Sequence, residues 1–180
     1  MIFGLFRRKK HEAVVTRLHA VVAAHARLPA FFLPPYGAAD TFEGRFEVLT
    51  LIAGLLLTRL NAAPAPGPAI AQELADAIFS AFDDALREVG VSDVGVPKKM
   101  KKLARAFMGR GGAYAEAAAQ VDAGQVDAAL TDALSRNVLS GGDAAAFAAY
   151  YRRAKAELFA EPDLALFAGN ARFAAPSQTA

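Results

Sequence analysis

Apolar residues recur every three or four positions along most of the chain, which is the spacing of amphipathic α-helices. The first such segment covers residues 11–27 and stops before Pro29, because proline interrupts helical hydrogen bonding. The most apolar segment covers residues 42–60 and is predicted to be the central core helix. Its periodic apolar positions are Phe42, Phe46, Leu49, Ala53, Leu56 and Leu60.

The remaining segments extend the same pattern. Residues 69–89 are predicted to form a helix with an apolar stripe on one side and acidic residues on the other. Gly90 follows directly, at the position where glycine commonly ends a helix. Pro97 suits the start of the next helix, whose register continues through the sequence GRGG at 109–112 to Tyr114 and Val121. Further helices are predicted at 126–139, 143–160 and 163–168, with Asp143 as an N-cap. These segments, without strand-like alternation, predict an all-α, single-domain bundle of about six to seven helices.

The segment PAFFLPPYG at 29–37 combines three prolines with three aromatic residues and is predicted to be a loop, not a helix. Its aromatic side chains either pack on the core or form an exposed lip for an apolar client, and both interpretations are open at this stage. After it, Asp40 or Thr41 is expected to cap the core helix, because Asp40 and Glu43 have the spacing of a capping box.

The sequence divides into a basic and apolar N-terminal tail at 1–10, a helical domain at 11–170 and a flexible C-terminal tail at 171–180. The start, MIFGLFRRKK, has its apolar residues before its cations, so a cleaved secretory signal is not predicted. This tail is either a frayed terminus or a contact with an anionic membrane surface. The candidate membrane contacts are Phe3, Phe6, Arg7, Arg8, Lys9 and Lys10.

Composition limits the chemistry available to the protein. The 180 residues include no cysteine, which excludes disulfides and thiolate chemistry. The three histidines are not spaced as a helical metal pair and are expected to be solvated or capping residues. GRGG lacks the lysine and hydroxyl residue of a phosphate-binding loop, and Asp83 and Asp84 point apart on a helix. No catalytic residues, metal site or cofactor are therefore predicted, and binding is the favoured class of function.

A basic segment suggests what the protein binds. The net charge is only +2, yet six of the 20 basic residues lie between positions 98 and 110, with no carboxylate among them. These residues are Lys98, Lys99, Lys101, Lys102, Arg105 and Arg110. They occupy the helix side opposite Met100, Leu103 and Phe107. The cations either pair with the preceding acidic helix or contact phosphate, anionic lipid or an acidic protein. Asparagine and glutamine are absent from the segment, so sequence-specific readout of bases is not expected, and no DNA partner is predicted.

Two stretches carry a family resemblance. FEGRFEVLTL at 42–51 and DDALREVGVSDVGVPKKMKKLARAFMGR at 83–110 resemble the ubiquinol–cytochrome c chaperone family, with looser similarity over residues 11–170. Gly111 and Gly112 depart from the bulkier residues expected there. The resemblance implies a non-enzymatic assembly factor of ubiquinol–cytochrome c reductase that holds newly made cytochrome b.

The resemblance also implies partners and a location. Mitochondrial relatives act with a small helper protein near the ribosomal tunnel exit. This chain lacks an Arg- and Ser-rich transit peptide, so a bacterial form is expected in the cytoplasm, peripheral on the cytoplasmic face of the inner membrane. The candidate client contacts are Phe31, Phe32, Phe107 and Met108. The alternative is a general RNA- or ribosome-binding module without a dedicated client.

Overall fold

The computed structural model describes residues 10–119, 126–137 and 142–177, and no β-strand occurs within these ranges. Seven α-helices and one short 3-10 helix make up their regular structure, which confirms the predicted all-α bundle. The α-helices are α1 (Glu12–Ala26), α2 (Phe42–Ala62), α3 (Gly67–Glu88), α4 (Val96–Ala119), α5 (Val126–Ser135), α6 (Ala144–Ala160) and α7 (Asp163–Phe167). The predicted end of the fifth helix, at residue 139, lies outside the described residues.

Helix α2 lies at the centre of the bundle, as its apolar pattern predicts. It packs against α1, α3, α4 and α6, and its residues from Val48 to Leu60 supply much of the buried core. Phe42, at its first turn, is an exception because 43% of its surface is exposed. The core helix therefore has one end that lies open at the molecular surface, beside α3 and α4.

Thr41, one of the two predicted caps, is the N-cap of α2, whereas Asp40 of the predicted capping box has another partner. Thr41 has an extended backbone, and its side chain accepts the Gly44 N–H at 3.2 Å. Asp40 instead pairs with Arg45, whose Nε lies 2.6 Å from the carboxylate. At the start of α6, Asp143 accepts the N–H groups of the second and third helical residues, at 2.8 and 3.2 Å, which confirms that prediction.

The loop at 29–37 contains a helical turn that the sequence analysis excluded. Residues Pro29–Phe32 form a 3-10 helix, which tolerates a proline at its first position. Phe31 is fully buried and packs against Tyr36, Phe147 and Tyr150. This loop therefore contributes to the core.

His25 belongs to the same aromatic cluster, contrary to the expectation of a solvated or capping histidine. Its Nε2 lies 2.7 Å from the Tyr150 hydroxyl oxygen, and its ring packs against Phe31 and Phe173. Burial lowers the pKa of His25 to about 4, so the ring is neutral at physiological pH.

Helix α4 continues through GRGG, which confirms the predicted register as far as Tyr114; Val121 lies outside the described residues. Gly111 of this segment has a packing role, because α2 and α4 approach closely at Gly54 and Gly111. A Cβ placed on Gly54 would lie 3.3 Å from the Gly111 Cα. These two glycines let the central helix and the basic helix come into backbone contact.

Gly109 and Gly112 have no such role, since a Cβ on either would meet no heavy atom within 4 Å. Replacing either one by alanine is expected to raise the free energy of unfolding by about 0.5–1 kcal/mol, because alanine favours helix over glycine. Chemical denaturation of the single variants measures this effect. Unchanged or lower stability in both variants would contradict an unstrained, continuous helix at these positions.

The C-terminal segment is more closely packed than the predicted flexible tail. Ala171, Phe173 and Ala174 are buried, although the segment has no helix. The Ser177 N–H donates to the Tyr36 hydroxyl at 3.0 Å. The chain is thus held to the bundle as far as Ser177, three residues before its end.

Candidate docking surface on helix α4

One side of α4 carries five exposed cations, which we call the basic face. Its members are Lys98, Lys99, Lys101, Lys102 and Arg105. At about 100° per residue, their positions fall within an arc of roughly 160° around α4, so the five cations share one broad side of the helix. In the part of the chain that the structure describes, no carboxylate lies within 4 Å of any of them. The basic face is therefore turned to solvent with its charge uncompensated.

Two carboxylates of the acidic helix α3 pair with other residues, and among the described residues no α3 carboxylate lies within 4 Å of the basic face, which contradicts the alternative that α3 neutralises α4. Glu73 pairs with His11 at 3.0 Å, and Asp83 pairs with Arg87 within its own helix at 2.7 Å. Arg87 also binds Asp93 in the following turn. The two contacts of Arg87 hold the end of α3 and its turn together, and neither involves a lysine of the basic face.

Arg110 differs from the basic face, although its place in the basic segment predicts that it belongs there. Its Nη1 lies 2.8 Å from Glu47 Oε1, and its guanidinium lies 5.5 Å from the centre of the Phe46 ring. Three-quarters of the Arg110 side chain is buried. It therefore links α4 to α2, and the position of its charge is fixed by an internal partner.

Glu47 is the buried partner in this ion pair. Its side chain is 9% exposed, and its Oε2 has no hydrogen-bond partner. Burial raises the pKa of Glu47 to about 7, against the opposing effect of Arg110. The Tyr114 hydroxyl is also buried without a hydrogen-bond partner. Burial raises the pKa of Tyr114, and the nearby negative charge of Glu47 raises it further.

The raised pKa of Glu47 predicts a pH-dependent stability. The folded protein holds this proton more tightly than the unfolded chain, whose carboxyl has a pKa of 4.5. The resulting stabilisation is complete below pH 4.5 and is lost as the pH rises through 7. Between those limits, the unfolding free energy should fall by about 2 kcal/mol in wild type relative to Glu47→Gln.

Denaturation curves of both proteins across this pH range provide the measurement. His25 has a lowered pKa and contributes a slope of the opposite sign below pH 6.5, but it does so equally in both proteins. The difference between them therefore isolates Glu47. A difference that stays constant with pH would show that Glu47 has the same pKa in the folded and the unfolded protein.

A groove of about 410 Å³ lies where α2, α3 and α4 meet, and we call it the α2–α3–α4 groove. Its apolar lining consists of Phe42, Phe46, Leu86, Val89, Leu103 and Ala106. Its polar lining consists of Glu43, Glu47, Lys99, Lys102 and Arg110. The groove thus joins an apolar floor to two members of the basic face.

The turn between α3 and α4 shapes one end of this groove. Gly90 has a φ of 82°, which glycine adopts easily, and the next residue, Val91, donates its N–H to the Leu86 carbonyl at 3.0 Å. This Schellman motif ends α3 and leaves Val89 70% exposed at the groove. Val94, in the same turn but outside the groove lining, is 90% exposed.

The predicted client contacts occupy contrasting environments. Phe31 and Phe107 are 0% and 2% exposed, so they belong to the core and offer no surface to a partner in this conformation. Phe32 is partly buried, and the Arg45 guanidinium lies 5.4 Å from its ring centre. Met108 is 65% exposed and remains available for contact.

The predicted membrane contacts Phe3, Phe6, Arg7, Arg8 and Lys9 lie outside the described residues. Lys10 is described and lies exposed in a turn before α1. No described helix combines the length and the apolar character needed to cross a membrane. In the same described residues, no three His, Asp or Glu side chains gather in a way that could hold a metal ion.

The groove was missed by sequence reasoning because its lining comes from three helices. One signal was present, since Glu47 opens the most apolar stretch of the chain and a carboxylate there needs a partner. The sequence does not show that this partner is Arg110, 63 residues later, or that the site opens to the surface.

Within the described residues, a basic helix face without acidic partners lies beside an apolar groove on an all-α bundle, an arrangement typical of a helical binding protein. Residues 36–173 match the family described as ubiquinol-cytochrome C chaperone, and the chain belongs to this family. It is also similar to a solved structure, described as a Cbp3 homolog from Brucella abortus, with 40% sequence identity and a TM-score of 0.79. That match covers 97% of each chain, while no curated protein matches significantly.

Family membership confirms the predicted resemblance. It assigns the chain a chaperone role in the assembly of ubiquinol–cytochrome c reductase. It also implies a non-enzymatic assembly factor whose partners include a client protein.

Proposed function

We propose that this protein binds newly made cytochrome b and supports assembly of ubiquinol–cytochrome c reductase by docking through the basic face of α4. The observation that carries the proposal is the uncompensated charge of that face, where five exposed cations have no carboxylate within reach in the described residues. Holding such charge together costs free energy unless an anionic partner or counterions offset it. The face is therefore suited to an anionic surface.

Two anionic surfaces are present where a membrane protein is made: ribosomal RNA and lipid. Cations of the basic face can bind either one, and binding releases the counterions condensed on the polyanion. On this proposal the protein works in the cytoplasm, on the cytoplasmic face of the inner membrane, near the ribosomal tunnel exit. Because of the family resemblance, we also propose that a small helper protein acts with it. The N-terminal cations from Arg7 to Lys10 would add to the membrane contact.

Deleting the gene tests the dedicated role. Mature cytochrome b and reductase activity should fall, while the other respiratory complexes stay largely unchanged. Wild-type protein should restore both quantities, whereas a variant with all five basic-face residues changed to glutamate should not. Normal reductase levels in the deletion strain would reject the proposal.

A second candidate function uses the same cations. If the protein is a general RNA- or ribosome-binding module, the purified protein should bind RNA. Its affinity should fall steeply as the salt concentration rises, because counterion release then becomes less favourable. It would show no preference for one client. Equal loss of many membrane proteins after gene deletion would favour this module over the dedicated chaperone.

A further inference from the structure

We propose that the α2–α3–α4 groove binds an apolar polypeptide segment that carries one acidic side chain next to its apolar residues. This inference rests on the proposed function, because the segment would belong to the client protein. It differs from docking through the basic face as a whole, since only two of the five basic-face cations line the groove.

The floor of the groove is suited to apolar side chains. Its volume of about 410 Å³ lies in the range of pockets that enclose compact ligands. Phe42 and Val89 expose 43% and 70% of their surface at this site, although both are large apolar residues. Covering them would remove apolar surface from water, which favours an apolar occupant.

The charges of the lining select an acidic group. Above pH 7 the ionised Glu47 matches Arg110, which leaves Lys99 and Lys102 against the single exposed carboxylate of Glu43. The two lysines are three positions apart and therefore lie on one side of α4, at the edge of the groove. One uncompensated positive charge remains, and a glutamate or aspartate of the occupant would neutralise it.

The buried carboxylate distinguishes a polypeptide from a lipid. Glu47 lines the groove, its side chain is nine-tenths buried, and its Oε2 accepts no hydrogen bond. This oxygen is already shielded from solvent, and an acyl chain in the groove would leave it unpaired. A polypeptide brings backbone N–H groups and hydroxyl side chains, which can donate to it once the Glu47 side chain turns toward the groove.

Fluorescence anisotropy with the full-length protein tests this inference. The probe is a short fluorescein-labelled peptide of leucine, phenylalanine and threonine with one glutamate, compared with the same peptide carrying lysine instead. Wild-type protein should bind the glutamate peptide about tenfold more tightly, because like charges at the groove edge repel the lysine peptide.

Matched variants locate the binding. The double change Lys99→Glu and Lys102→Glu should weaken binding of the glutamate peptide about tenfold or more, while Lys98→Glu and Lys101→Glu, which lie outside the groove, should cost less than about threefold. Val89→Ser should also weaken binding, and Val94→Ser should not. All these residues are exposed, so the variants are expected to fold, and circular dichroism checks this.

Each alternative result has a defined meaning. Equal losses in the two lysine variants, or no saturable binding of either peptide, would overturn the groove assignment. So would vesicles of phosphatidylglycerol that bind through Val89 and Lys99 and displace the peptide, since the occupant would then be lipid. If the peptide fails but gene deletion still lowers the reductase, the proposed function stands without this site. If the peptide binds as expected but deletion leaves the reductase normal, the groove stands and the proposed function fails.

Discussion

Replacing Arg110 by methionine is expected to lower the free energy of unfolding by about 2–4 kcal/mol at pH 8. Methionine preserves much of the apolar stem but leaves the Glu47 carboxylate buried with no positive partner. A buried charge without a partner is strongly destabilising. Because one quarter of the Arg110 side chain is exposed, the expected loss is smaller than for a fully buried ion pair. Chemical denaturation measures the loss.

The loss of unfolding free energy in the same variant should be smaller at low pH. At pH 5 the Glu47 carboxyl is mostly protonated in the folded wild type, because its pKa is raised to about 7, so the ion pair contributes little there. Arg105→Met is the matched control, since Arg105 lies on the same helix, is exposed and has no acidic partner in the described residues. It should change stability by less than about 0.5 kcal/mol. Equal losses in the two variants would contradict a structural ion pair between α2 and α4.

Replacing Gly44 by alanine is expected to destabilise the protein by about 2–3 kcal/mol, because the new methyl group has no space. A Cβ at this position would lie 1.9 Å from the Ala39 carbonyl oxygen, which belongs to the backbone and has little freedom to move. The substitution would also disturb the cap in which Thr41 accepts the Gly44 N–H. Thermal and chemical denaturation both detect this loss.

Gly112→Ala is the matched control for this substitution, since it makes the same chemical change in a helix with open space around it. It is expected to stabilise the protein slightly, because alanine favours helix over glycine. Hydrogen exchange at the start of α2 shows whether Gly44→Ala acts by unwinding the first turn. A Gly44→Ala protein as stable as wild type would contradict the close contact between this turn and the preceding loop.

The helices were predictable because each one buries a stripe of apolar residues at helical spacing. Val48 to Leu60 are mostly buried, and Asp143 caps α6, as their local sequences indicate. The unbroken register from Phe107 to Tyr114 likewise predicted that α4 runs through its glycines. Local patterns of this kind do not depend on knowing which helices meet.

The candidate site was less predictable because it depends on contacts between helices. Leu86 and Val89 belong to one apolar stripe, yet they are 3% and 70% exposed, and only the position of α4 and the turn explains the difference. The helical register places Phe107 on the buried side of α4, so predicting Phe107 as a client contact conflicted with that register. Met108, the next residue, is exposed. The Gly54–Gly111 approach was also hidden, because the two residues are far apart in sequence.

Site-specific photo-crosslinking in living cells tests the central claim most directly. A photoreactive residue at position 99, on the basic face and at the edge of the groove, should capture newly made cytochrome b. The same residue at position 16, exposed on α1, should not capture it at a comparable level. Capture of cytochrome b at position 99 alone is the result expected of a chaperone that works through α4. Equal capture at both positions, or capture of ribosomal components without cytochrome b at position 99, would contradict it.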